Sequence, residues 1–202
     1  MTTLTIYYDY TDPWCYVAVF RAEWLKTIVP DVEVEWRQFE LRPDLPARGA
    51  RPQNPAFLRR KIQYDIDELT DELGVKLYVP GDRVINSRLA LEGSLFARDV
   101  GAFDTYHRAL FAGFFEHQRD IGSLDVVVAI GGEIGLGEGA LHAALSEHRY
   151  TAAVERLREE AEDFGVVAIP TFVANNHGAV GIVAKDRLLR IVTTASPPVI
   201  RD

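Results

Sequence analysis

The chain has 202 residues, 48% hydrophobic and 26% charged, which suits one large domain or a domain carrying an insertion. Its net charge of −8 and pI near 5.2 argue against nucleic acid and anionic membrane surfaces as partners, although an uneven distribution leaves room for a small basic patch. A single cysteine, Cys15, excludes an internal disulfide and an all-cysteine metal site.

In chain order, Leu4 to Tyr8 reads as a strand rich in β-formers. A helix is expected from Pro13 to about Ile28, with Val17, Phe20, Trp24, Leu25 and Ile28 on its buried face. Val32 to Phe39 alternates as a second strand, Val32, Val34 and Trp36 against Glu33, Glu35 and Arg37. Arg42 to Pro55, with four prolines, reads as a linker. Helical patterns follow over Phe57–Leu73, from Asn86-Ser87 to Gly101, and over Asp104–His117. Three more run from Leu124 to about Gly132, over Glu138–Leu145, and over Thr151–Phe164. Strand signals return at Thr171–Ala174 and Ala179–Val183 around a turn over Asn175–Gly178. Asp186–Val192 is a terminal helix, and Ser196-Pro197-Pro198 ends the ordered part. The order β-α-β, helical block, α-β-β-α predicts an α/β four-stranded mixed sheet flanked by helices, with a helical domain inserted.

The chemistry centres on Asp12-Pro13-Trp14-Cys15, where the first strand turns into the first helix. Asp12 is a good N-cap and Pro13 suits the first helical position, which needs no N–H. Cys15 then falls in the first turn. No metal is expected, because the five histidines show no ligand spacing. "GGEIGLGEG" lacks Gly-Lys-[Ser/Thr] and reads as a helix break, not a phosphate loop. "MTTLTIYYDY" has no basic n-region or apolar h-region, and no run approaches the ~20 apolar residues of a membrane span, so a cytoplasmic location is expected.

"DPWCYVA" after the first strand, "NSRLALEGSLFARDVG", "YHRALFAGFFEHQRDIGSLDVV" and "AEDFGVVAIPTFVANN" together resemble the DsbA family of thioredoxin-fold proteins. Within it the chain is similar to the FrnE-like branch, the 2-hydroxychromene-2-carboxylate isomerases and the kappa-class glutathione transferases. The resemblance covers nearly the whole chain. It implies a thioredoxin-like domain of residues 1–45 and 165–202 and an inserted helical domain of residues 46–164. In the family, the first Cys of a Cys-x-x-Cys motif at this junction attacks and the second resolves. Here Asp12 takes the first position and Cys15 the second, so two-electron dithiol exchange is not expected.

The resemblance also implies a cis Ile169–Pro170 bond opposite the helix start, with Ile169 offering backbone groups to an extended peptide or to glutathione. From the residues alone, a trans Pro170 opening a strand serves equally. Asn86 matches a cleft-lining position in relatives, or is a helix cap. Trp14 is expected to be exposed and able to stack on a ligand. Tyr8 and Tyr10 either line the cleft or pack, and Phe111, Phe114 and Phe115 read as core. The catalytic candidates are therefore Asp12 and Cys15, and the substrate-binding candidates Pro13, Trp14, Asn86, Ile169 and Pro170.

Alone, Cys15 reads as a buried, slow thiol, its pKa raised by burial and by Asp12. Asp12 is expected to be held as the anion by the helix N-terminus, and so to be a weak base. Three readings follow: a disulfide oxidoreductase or isomerase relative impaired in dithiol exchange; a glutathione-dependent isomerase or transferase acting on a small aromatic substrate; or a non-catalytic peptide- or ligand-binding module. No bound cofactor is expected, glutathione entering only as a co-substrate. The partners expected are a small-molecule or peptide thiol, with neither nucleic acid nor membrane, and a homodimer is compatible.

Overall fold

The computed structural model describes residues 2–53 and 56–194; Pro55 and Ser196-Pro197-Pro198 lie outside them. The chain opens with strand β1 (Thr2–Tyr8), helix α1 (Pro13–Ile28) and strand β2 (Val32–Gln38), and β2 pairs parallel to β1 from Thr2 opposite Val32 to Tyr8 opposite Gln38. On its other edge β1 runs antiparallel to β3 (Thr171–Ala174), with Tyr7 opposite Thr171. Strand β4 (His177–Val180) completes a mixed sheet of order β2-β1-β3-β4.

The β3–β4 hairpin is tighter than the sequence suggests. Asn175 and Asn176 sit at φ 51° and 63°, the left-handed pair that a two-residue hairpin turn requires and that asparagine tolerates. His177 therefore pairs with Ala174 at once. The turn is two residues rather than Asn175–Gly178, and the strand is shifted back from Ala179–Val183.

Seven further helices follow α1 among the described residues: α2 (Ala56–Thr70), α3 (Arg88–Asp99), α4 (Phe103–Phe115), α5 (Leu124–Glu133), α6 (Glu138–Ser146), α7 (Thr151–Asp163) and α8 (Lys185–Thr193). A 3-10 turn, Asp71–Leu73, finishes α2, and Gly74 at φ 64° closes it. Helix α3 packs against α4, α5, α6 and α7, while α8 lies on α1 and β1. Helix α1 is enclosed more fully than one apolar stripe implies. Cys15, Tyr16, Val17, Ala18, Val19, Ala22 and Leu25 are all buried, Phe20 and Trp24 are half-buried, and Ile28 is 52% exposed. The reason is tertiary: α1 meets β2, α2, α4 and α8 on different sides.

One continuous core joins sheet and helices. At the junction, Tyr8 meets Tyr10 and His107 edge-on with centroids 5.2 and 4.6 Å away, and Tyr16 stacks on Phe111 at 5.1 Å. The buried hydroxyls have partners, Tyr10 with His107 Nδ1 at 3.1 Å and Tyr8 with Ser94 Oγ at 3.2 Å. Gln38, buried at the end of β2, donates to the Leu91 carbonyl at 2.8 Å. Burial pushes the His107 pKa well below its usual value, so the ring is neutral in this joint.

The segment read as a linker is tied down. Ala50 and Val84 exchange backbone hydrogen bonds of 3.0 and 2.8 Å. The approach needs Gly49, at φ 70°, because a Cβ there would meet the Val84 oxygen at 2.3 Å.

Close packing makes a prediction at two helical glycines. A Cβ on Gly93 in α3 would lie 2.0 Å from the Tyr106 hydroxyl, whereas one on Gly139 in α6 meets nothing within 4 Å. In urea melts, Gly93→Ala is expected to lose about 1–3 kcal/mol by overpacking. Gly139→Ala is expected to gain about 0.5–1 kcal/mol from helix propensity.

Candidate functional site

The loop after β1 is shaped by Asp9, which has no exposed surface. Its Oδ1 accepts the Thr11 N–H at 2.7 Å and the Thr11 hydroxyl at 2.8 Å. Its Oδ2 accepts the Leu41 N–H and the Ser87 hydroxyl, both at 2.8 Å. Thr11 thus delivers Asp12 to the head of α1. Asp12 sits at φ −100°, ψ 117°, and its Oδ1 accepts the Cys15 N–H at 2.9 Å. This is an N-cap with Pro13 at the first helical position.

The cap seals Cys15, which has no exposed surface, and burial first and the Asp12 charge second push its thiol pKa well up. Asp12 itself departs from expectation. Burial raises its pKa to about 6, bonds from Cys15 and the Trp14 N–H oppose the shift, and the neighbouring Asp9 charge adds to it. Desolvation outweighs the helix terminus, so the group titrates close to neutrality instead of being fixed as a weakly basic anion.

Asp12, Pro13 and Trp14 form one wall of a cleft of about 160 Å³. Arg42 and Pro52 line it from the segment after β2, Arg59 and Ile62 from α2, and Val79, Pro80 and Arg83 from the segment between α2 and α3. Phe114, buried in α4, is also part of the lining. A larger hollow of about 370 Å³ adjoins it, sharing Val79, Pro80, Arg83, Ile85 and Phe114. Gln63 binds α2 to this segment, donating to the Leu77 carbonyl at 2.7 Å and accepting the Val79 N–H at 2.8 Å.

The structure gathers only some of the sequence candidates here. Trp14 is half-buried and packed on the core rather than fully exposed. Cys15 lies behind the wall and has no surface in the cleft. Asn86 does not line it: its Oδ1 accepts the Arg88 N–H at 2.8 Å and its Nδ2 donates to the Leu45 carbonyl at 2.6 Å, so its polar groups are spent tying the start of α3 to the segment after β2. Ile169 and Pro170 are buried and do not line it either, although their peptide bond is cis and the pairing of Tyr7 with Thr171 puts Pro170 next in register beside Tyr8. Tyr8 and Tyr10 are wholly buried and pack.

Sequence reasoning missed Asp9, Arg42, Arg59 and Arg83. The Asp-x-Thr spacing ahead of the motif, a common side-chain-to-backbone turn pattern, was the available signal for Asp9. For the arginines it was the excess of basic residues after Arg42.

Comparisons with known proteins accord with this architecture. The model of the DSBA-like thioredoxin domain family matches residues 3–192. Bacillus subtilis YwbO, an uncharacterized protein, is 30% identical over 186 residues, spanning 91% of this chain and 92% of its own. A probable DsbA oxidoreductase from Streptomyces coelicolor superposes with a TM-score of 0.85 at 21% identity, covering 100% of this chain and 94% of that one. A 2-hydroxychromene-2-carboxylate isomerase gives 0.74 at 19% identity over 93% and 91%. The cytosolic disulfide reductase DsbM of Pseudomonas aeruginosa, solved with GSH, gives 0.65 at 18% identity over 95% and 93%. At these identities the solved structures share a fold with this chain.

The Asp12 shift has a sign in stability. A carboxyl whose folded pKa is raised binds more protons folded than unfolded between about pH 4 and 6, so stability falls as pH rises through that window. Asp12→Asn keeps a capping oxygen and removes the charge. It is expected to be more stable than the wild type above pH 6, on the order of 2 kcal/mol, with the difference gone below about pH 4. Urea melts at pH 3.5, 5 and 8 read this, and a pH-independent difference would show that the carboxyl is unperturbed.

Proposed function

This chain belongs to the DSBA-like thioredoxin domain family, and from that premise we propose that it carries out no dithiol–disulfide exchange and works through the Asp12 carboxyl. The observation that carries this reading is the inversion at the helix start. The one thiol, Cys15, is sealed behind the cap, and the group facing the cleft is a carboxyl that titrates near pH 6. A carboxyl with that pKa is largely ionised at neutral pH yet basic enough to exchange a proton. Bound beside it, a ligand's S–H or O–H donates to Asp12, which takes up the proton as the ligand's sulfur or oxygen gains charge. The N–H groups at the head of α1 favour negative charge there. The reducing or oxidising equivalents of a dithiol pair have no place in this scheme, because the chain has one cysteine.

A glutathione-dependent isomerase or transferase is a second reading. The cleft is lined by Trp14 and by the exposed Arg42, which suits a carboxylate-bearing thiol beside a flat substrate. It is consistent with two fold relatives, the chromene-carboxylate isomerase and the GSH complex of DsbM.

Insulin reduction tests the main reading. The wild type is expected to run at background, and its thiol to react with Ellman's reagent only after unfolding. Asp12→Cys is expected to lose both thiols on oxidation and to reduce insulin. Asp12→Ser controls for the cap. Wild-type turnover matching a two-cysteine thioredoxin-fold enzyme would overturn the proposal. For the second reading, calorimetry with reduced glutathione should register binding at millimolar ligand, and no heat would count against it.

A further inference from the structure

Helix α2 carries its charges in the opposite order to the one an isolated helix favours. Arg59, Arg60 and Lys61 stand in its first half without an acid, and Asp65, Asp67 and Glu68 follow in its second half without a base. The helix macrodipole favours acids near the N-terminus and bases near the C-terminus. The first turn of α2 has no acid and the last turn no base, so nothing in its own sequence answers the dipole at either end. Local pairs relieve part of this: Lys61 meets Asp65 at 2.7 Å, and the Tyr64 hydroxyl donates to Glu68 at 2.9 Å.

One face of this helix is open. Among the described elements α2 packs on α1 and on its own 3-10 end, and Gln63 ties its inner side to residues 77–79. Phe57, Lys61, Tyr64 and Glu68 recur every three or four residues and so form one seam on the outer side. Phe57 is 72% and Tyr64 62% exposed, and Arg60, Lys61 and Glu68 are exposed with them. Two large aromatic rings in a seam that runs from basic to acidic make a surface complementary to itself. Turned antiparallel about Tyr64, the seam sets Arg60 and Lys61 of one copy, four and three residues before the axis, against Glu68 of the other, four residues after it. The same contact is made twice, as a two-fold interface requires, and each helix end lies beside the charges it lacks.

We propose that the outer face of α2 is a docking surface for a second copy of this chain, the two helices pairing antiparallel with the Tyr64 rings at the axis and a Phe57 ring at each end of the seam. Arg59 and Ile62 line the cleft from this same helix, which buries only Ile66 and Thr70. Pairing therefore fastens the cleft wall that is anchored least in the core, whatever chemistry Asp12 performs. A single pair of helices buries little area, so the dimer is a reversible one that salt weakens.

Sedimentation equilibrium of the full chain at low ionic strength should show a monomer–dimer equilibrium, and hydrogen exchange over residues 56–70 should slow as the chain is concentrated. Lys61→Glu and Glu68→Lys should each weaken self-association about tenfold or more with circular dichroism unchanged, because each sets like charges against one another. Mixed together, these two variants should pair, since each supplies the charge the other lacks. The double variant K61E/E68K should dimerise as the wild type does. A wild type that stays monomeric at millimolar concentration, single variants that dimerise as before, or a mixture of the two that stays monomeric would overturn the proposal. Binding of phosphatidylserine vesicles by a wild type that is monomeric in solution would overturn it in favour of a lipid surface.

Discussion

The Asp9 carboxylate is the interaction on which the rest of the structure depends. A fully buried carboxylate is costly unless its oxygens are satisfied, and its four bonds come from three segments separated along the chain, two of them from Thr11 and one each from Leu41 and Ser87. Thr11 belongs to the loop that presents Asp12, Leu41 lies just beyond β2, and Ser87 precedes α3. The exit from the β-α-β unit and the entry to the packed helices are therefore fastened to the same side chain that shapes the candidate site. Each buried donor would cost about 1–3 kcal/mol if left without an acceptor.

A second fastening lies one residue before Leu41. Glu40 takes a two-pronged bond from Arg88 at 2.7 and 2.6 Å, and Arg88 also reaches Glu155 at 2.9 Å. Arg158 donates to the Glu40 carbonyl at 3.0 Å. The end of β2 is thereby bound to the start of α3 and to α7. Helix α2 contrasts with this, burying only Ile66 and Thr70. The cleft has one wall built into the core at α1 and α4 and another carried by a lightly buried helix.

Local signals were legible in the sequence, and those that depend on distant neighbours were not. Asp12 and Pro13 announce the start of α1 because a cap and a first-turn proline act within four residues. The fold class was legible for the same reason, through strand and helix periods and through motifs spread along the chain. The hairpin was misjudged because Asn-Asn-His-Gly offers several turn residues, and only pairing partners decide which two take positive φ. The pKa of Asp12 was misjudged because the helix terminus is local while the burial that outweighs it comes from tertiary packing. The cleft walls were invisible because residues 42–53 have no period of their own and are ordered by a bridge to Val84. Whole-chain charge concealed the arginines in the same way, since a sum carries no information about position.

The order of the sheet has a consequence for how the chain is made. Strand β1 gains its parallel neighbour early, but the edge that pairs Tyr7 with Thr171 waits for almost the whole chain. The helices in between make largely local contacts and can form first, whereas closing so long a loop is slow. A chain released before β3 would display β1 as an open, apolar edge, the usual template for pairing with a second copy. The walls of the cleft, residues 11–114, are therefore all made before β3, while the strand that leads into the Asp12 loop gains its second neighbour only when the last fifth of the sequence arrives.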